Sequence, residues 1–213
     1  NSTGATVNQV GTNFANNGLF QNGVRSNQSV LFSAVADDTV IQVGQNAVTA
    51  GNNAVFGQEI GMSADAENVG QTANNVGAAG NNFAANQAIA FDTISDDGIV
   101  QQQAVNQFVD IGNAGSSNSR LGQLISGASR GGDTTIQQFQ NIANLDHPAA
   151  GSLTYTVTQA NIANASAGTS VTQFQRNLVG WEITADGGLG QMINSRAQAP
   201  TVIQNQNNIL NPV

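Results

Sequence analysis

The chain contains no cysteine, which excludes disulfides, thiolate metal sites and cysteine nucleophiles. It contains no lysine either; its five basic residues are Arg25, Arg120, Arg130, Arg176 and Arg196. Without lysine there is no Schiff-base amine and no phosphate loop of the Gly-x-x-x-x-Gly-Lys type. Charged residues make up only 8% of the chain, against about 25% in ordinary globular proteins. The net charge of −8 and pI near 4.1 argue against nucleic acid, whose phosphates need a basic patch, and against anionic lipid. No apolar run approaches the roughly 20 residues of a membrane-spanning helix, so membrane insertion is not expected.

Groups for catalysis are equally scarce. The single histidine, in Asp146-His147-Pro148, reads as a loop residue, and no Gly-x-Ser-x-Gly elbow occurs. Asp37, Asp38, Asp96, Asp97, Asp133 and Asp186 sit in turn-like contexts. Glycoside hydrolysis would need two of them at a fixed separation in a cleft with sugar contacts, and Trp181 and Tyr155 are the only Trp and Tyr. The chain is therefore expected not to be an enzyme. Asp37-Asp38 and Asp96-Asp97 offer oxygen ligands of the kind Ca²⁺ takes, but no Asp-x-Asp-x-Asp-Gly or Gly-Gly-x-Gly-x-Asp pattern is present. They read as solvated turn charges, and no cofactor is expected.

Asn and Gln are abundant instead, together about a quarter of the residues. They recur in a short pattern: a Thr or Ser, a β-branched pair, then Gln. The copies are Thr6-Val7-Asn8-Gln9, Thr39-Val40-Ile41-Gln42, a weaker Gly98-Ile99-Val100-Gln101, Thr134-Thr135-Ile136-Gln137, Thr156-Val157-Thr158-Gln159, Ser170-Val171-Thr172-Gln173 and Thr201-Val202-Ile203-Gln204. Several of the Gln residues are followed four places on by Asn, for example Gln9 by Asn13, Gln42 by Asn46, Gln137 by Asn141 and Gln173 by Asn177. The copies start at Thr6, Thr39, Gly98, Thr134, Thr156, Ser170 and Thr201, so the spacing is irregular, and the long gap before Gly98 predicts a degenerate copy at Asn68-Val69-Gly70-Gln71.

Acidic or glycine turns precede several copies: Asp37-Asp38, Asp96-Asp97-Gly98 and Gly131-Gly132-Asp133. Each unit thus reads as turn, strand, polar turn. Alternation places Val40 and Gln42 on one face and Ile41 and Val43 on the other. The Ala-rich stretch 62–90 carries Gly70, Gly77, Gly80 and many Asn, which favours strand and loop over helix. Pro148, Pro200 and Pro212 fall outside the best strand segments. The fold class expected is all-β, with stacked β-arch or β-solenoid repeats of cross-β character; the alternative is a β-sandwich pilin-like subunit completed by donor-strand exchange.

Gln9-Val10-Gly11-Thr12-Asn13-Phe14-Ala15 resembles the curlin repeat of bacterial curli, with the Asn one residue earlier, and Gln42-Val43-Gly44-Gln45-Asn46-Ala47 is similar. Asn75-Val76-Gly77 through Gln87-Ala88-Ile89-Ala90 resembles the repeats of Fap-type functional amyloids, and the glycine-spaced 44–57, where Gly44-Gln45-Asn46-Ala47-Val48 is echoed by Gly51-Asn52-Asn53-Ala54-Val55, resembles, less closely, the heads of trimeric autotransporter adhesins. The curlin and Fap resemblances imply secretion, self-assembly into cross-β fibres in a biofilm matrix, and accessory secretion or nucleator proteins as partners.

The expectation is a single repeat-containing β domain over 1–213, acting as a structural subunit of a secreted extracellular filament. Its assembly candidates are Gln9, Asn13, Gln42, Asn46, Gln137, Asn141, Gln173, Asn177 and Gln204. Stacked in register, such amides form ladders. The termini, 1–10 and 200–213, are candidate inter-subunit strands. The Asn1-Ser2-Thr3 start reads as a terminus left by signal-peptide removal. The alternative function is a soluble surface adhesin or carbohydrate-binding module. The nine Phe residues, from Phe14 and Phe20 to Phe174, are expected in the core. Asn1, Asn27 and Asn164 begin glycosylation sequons.

Overall fold

The computed structural model describes residues 2–16, 22–112, 117–145, 153–181 and 186–212. Asn1, Phe20, His147 and Pro148, and the side chains of Trp181 and Asp186, lie outside the described residues. The elements are β1 (Ser2–Asn16), β2 (Arg25–Thr49), β3 (Val55–Asp65), β4 (Asn68–Ala79), β5 (Ala84–Ser95), β6 (Ile99–Asp110), β7 (Ser117–Gly131), β8 (Thr134–Leu145), β9 (Leu153–Ser166), β10 (Ser170–Trp181), β11 (Asp186–Gln198) and β12 (Thr201–Pro212). The Ala-rich stretch 62–90 is strand and turn, as its glycines and asparagines predict.

Every strand pairs in parallel with the strand one turn away; β2 pairs with its chain neighbours β1 and β3 because its two halves lie in different rows, and the other strands skip their chain neighbours. Two rows result. The short row holds Arg25–Val35 of β2, then β3, β5, β7, β9 and β11. The long row holds β1, Thr39–Thr49 of β2, then β4, β6, β8, β10 and β12. The chain alternates between rows and so winds a β-solenoid of about six turns, the stacked β-arch architecture. Strands within a row stand about 4.8 Å apart. The sandwich alternative is overturned: a pilin-like sandwich is built on antiparallel pairs, and all pairs here are parallel.

The irregular spacing has a simple cause. Thr156-Val157-Thr158-Gln159 lies on β9 in the short row, whereas the other copies lie in the long row. With it removed and Gln71 restored, the long-row glutamines are 33, 29, 31, 35, 36 and 31 residues apart. The remaining variation sits mainly in the connections leading from the long row to the short one, whose lengths run from that of 80–83 to that of 17–24. The weaker copy at Gly98 is shifted by one: Val100 and Gln102 point inward, and Gln101 is exposed. The echo at Gly51 is not a second strand, because Asn52 and Asn53 form the turn before β3.

Alternation along each strand puts one set of side chains between the rows, and these form the core. Packing there is complementary within each turn. Phe56 faces Gly77, Ala85 packs beside Phe108, and Phe91 neighbours Phe139. Phe56, Phe83, Phe91, Phe108 and Phe139 are buried, as expected, but Phe14 points outward and is 73% exposed. Small residues at other levels let the two backbones approach closely enough for amide side chains to bridge them.

Candidate assembly interface

A parallel, in-register stack places each residue over its equivalent one turn away, so an inward charge would meet like charges at each step. A carboxamide escapes this because it carries both a donor and an acceptor. The four-residue Gln-to-Asn spacing keeps both amides on the inward face, since strand side chains repeat every two residues. Gln9, Gln42, Gln71, Gln102, Gln137, Gln173 and Gln204 form one continuous ladder, each Nε2 donating to the preceding Oε1 at 2.7–3.1 Å. Asn13, Asn46, Asn75, Asn106, Asn141, Asn177 and Asn208 form a second ladder at 2.9–3.1 Å. All nine candidates therefore lie on these two ladders.

The sequence pattern missed Gln102, Asn75, Asn106 and Asn208, although Gln71, Gln102 and Gln204 keep the same four-residue spacing to Asn75, Asn106 and Asn208. It also missed a third ladder in the short row. Gln28, Gln58, Gln87, Gln123, Gln159 and Gln191 link at 2.7–3.2 Å. Its signal was a Gln followed two residues on by Val or Ile, as in Gln28-Ser29-Val30, Gln58-Glu59-Ile60 and Gln87-Ala88-Ile89.

The ladders are polar and run in opposite senses. Each Gln donates toward the N-terminal turn, and each Asn donates toward the C-terminal turn. A lateral bond fixes most orientations, because the second N–H of the same amide crosses the core to a backbone carbonyl: Gln42 to Ser63, Asn46 to Glu59, Gln58 to Val76. Gln71 is held instead by the Thr93 hydroxyl, which donates to its Oε1. The interior amides are buried. Such bonds each contribute about 1 kcal/mol net, and orphaning one partner costs about 1–3 kcal/mol.

The ends are open. At the N-terminal end, Asn13 Oδ1 accepts nothing and Gln28 Nε2 donates only to the Ala47 carbonyl among the described residues. At the C-terminal end, Gln191 Oε1 and Asn208 Nδ2 have no partner among the described residues. Among the described residues the outer edges of β1 and β12 pair with no further strand, and β12 is exposed almost throughout. Segment 2–10 is therefore already paired inside the chain, on β2, while 200–212 holds one free edge.

Other candidates take simpler positions. Asp37, Asp65, Glu67, Asp96 and Asp97 line one shallow, exposed corner. Among the described residues no three His, Cys, Asp or Glu side chains gather in a way that could hold a metal ion. Asn27 and Asn164 point outward and are exposed. No helix among the described residues is long and apolar enough to cross a membrane. Comparison with protein families, with curated protein sequences and with solved structures finds no match.

Proposed function

We propose that this chain is a structural subunit of a secreted, extracellular filament of the functional-amyloid kind, built by stacking copies end to end. The observation that carries this reading is the polarity of the open ladder ends. With β12 of one copy on β1 of the next, Asn208 Nδ2 faces Asn13 Oδ1, donor against acceptor, in the register the interior strands use. Stacking two N-terminal ends would set Asn13 acceptors against each other. Val202, Gln204, Asn208 and Leu210 then meet Val7, Gln9, Asn13 and Ala15, so apolar and amide levels both continue. Export, a matrix role and accessory nucleator proteins follow the curlin-like resemblance of residues 9–15 and 42–47.

Negative-stain electron microscopy with fibre diffraction tests the reading. Unbranched filaments with a meridional reflection at about 4.7–4.8 Å are expected. Gln204→Lys with Asn208→Lys, which puts charge on one end only, is expected to suppress growth while leaving the strand circular dichroism of the monomer unchanged. A wild-type chain that stays monomeric at every concentration overturns the proposal.

A further inference from the structure

The two rows hold unequal numbers of strands, seven long and six short, and they are staggered. A short-row strand lies between two long-row strands: Gln87 donates to the carbonyls of Asn75 and Gln107, and Gln123 to those of Asn106 and Ile142. The first and last of the described strands, β1 and β12, therefore both belong to the long row. Stacking β12 on β1 continues the long row without a break. It leaves β11 of one copy and β2 of the next two strand spacings apart, about 9.5 Å, with room for one strand between them. In the single chain the same place is a step, formed by the edge of β11 and the inner face of β12.

The chemistry of that step is specific. In earlier turns the long-row amides donate across the core to the next short-row strand: Gln42 to Ser63, Gln137 to Asn164, Gln173 to Arg196, and Asn46 to Glu59, Asn141 to Ala160, Asn177 to Met192. Among the described residues Gln204 donates only to Gln173 and Asn208 Nδ2 to nothing, and no described strand lies beyond β11 to carry those carbonyls. Gln191 Oε1 opens into the step from below. Across a junction the second N–H of Gln28 opens into it from above.

The geometry points to a strand-addition site: the step takes one extended segment of a separate polypeptide, parallel to β11, with Gln at the Gln191 level. That Gln donates to Gln191 Oε1 and, in a filament, accepts from Gln28 of the next copy. Its backbone carbonyls receive the N–H groups of Gln204 and Asn208. An aliphatic residue belongs two places on, over Ile193, and small residues four and six places on, over Ser195 and Ala197, where Gln206 crowds the core. The chain's own β2 fits this place poorly. At the crowded level it carries Phe32, whose ring lies where a Cβ on Gly11 would be 2.8 Å away. A second copy that shed β1 and docked β2 in the step would bring Gln206 to the place of Gly11, against that ring.

The junction role rests on the filament reading; the step itself is present in each chain. The probe is a labelled synthetic peptide with the sequence of residues 186–198, titrated by fluorescence anisotropy into the protein of residues 1–213. Saturable binding at one peptide per chain is expected, weakened at least tenfold by Gln→Leu in the peptide or by Gln204→Leu with Asn208→Leu in the protein. Circular dichroism of the protein variant checks that it is folded, and the peptide substitution leaves the protein untouched. Absent binding, or binding indifferent to both substitutions, overturns the site. Peptide binding without filaments keeps the site and removes the filament reading, whereas filaments without peptide binding do the reverse. Thr12 and Gln45 are exposed register partners on β1 and β2, so Thr12→Cys with Gln45→Cys, joined by a short bis-maleimide, locks β1 in place. Undiminished growth of the locked protein is expected. Growth abolished by the lock overturns the site at junctions, since it means that β1 is shed.

Discussion

A Cβ built on Gly127 would stand 2.2 Å from Cζ of Phe139 across the core, so the ring occupies the volume that the glycine leaves open. In the preceding turn the arrangement is reversed: the short row carries Phe91 over the level of Gly127, and the long row carries Ala104 under Phe139. At this level the short row supplies the large residue in successive turns, Phe32, Met62 and Phe91, and the long row then supplies it as Phe139. Gly127→Ala is expected to cost about 1–3 kcal/mol through overpacking, and Phe139→Ala about 3–5 kcal/mol through the cavity. Gly127→Leu with Phe139→Ala restores the Phe91/Ala104 pattern. Urea melts of both singles and the double should show coupling above about 1 kcal/mol, and simple additivity would refute the pairing.

Position along a ladder should set the cost of breaking it. Asn106 lies mid-solenoid, accepts from Asn75 and donates to Asn141 and to the Leu124 carbonyl. Asn106→Ala strips partners from buried groups on both sides and is expected to cost about 2–4 kcal/mol. Asn208→Ala, at the open end, is expected to cost less than about 1 kcal/mol in the monomer, because water reaches the groups it leaves behind. Equal costs in denaturant melts would show that the ladders do not act as a buried network.

Gln175 takes the inward place that Phe139 holds one turn earlier. Its side chain is fully buried, it accepts from Ser195 Oγ, and its Nε2 has no partner among the described residues. Gln175→Leu removes the orphaned donor, while half-exposed Ser195 can turn to solvent. A gain of about 1–2 kcal/mol in thermal or urea unfolding is expected, and a loss would mean that the amide is satisfied in solution.

Two turn glycines separate backbone strain from collision. Gly23 has φ of +74° and nothing within 4 Å of a built Cβ, whereas Gly131 has φ of +81° and a built Cβ 1.9 Å from the Ser95 carbonyl oxygen. Gly23→Ala should cost about 1–2 kcal/mol, the left-handed penalty alone. Gly131→Ala should cost at least about 1 kcal/mol more, because the corner it shares with Ser95 must also open. Similar melting temperatures for the two variants would count against the stacked corner.

Much of the architecture was legible because the repeat is a statement of period. Thr39-Val40-Ile41-Gln42 and its copies announce strands, Asp96-Asp97-Gly98 and Gly131-Gly132-Asp133 announce corners, and the gap in the series correctly located Gln71. The short row was harder to see because its glutamines lack the Asn four places on that marks the long row. All its members but Gln159 read Gln-x-Ile or Gln-x-Val, a pattern too brief to stand out among so many amides. The one-residue slip at Gly98 has the same origin: Gln101-Gln102-Gln103 offers three candidates, and only the pleat decides that Gln102 points inward.

The sequence by itself determined the chemistry: strands of β-branched residues, inward amides that tolerate stacking on their own copies, and very little charge, lysine or cysteine for other work. Only the tertiary structure decided the pairing. Which copies share a row, which way each ladder donates, and which row must end first are set by the winding of the chain. They depend on contacts about 29 to 36 residues apart, which no local pattern encodes. The amides of Asn208 and Gln191 that have no partner among the described residues, and the step beside β11, come from the half-spacing stagger of the two rows.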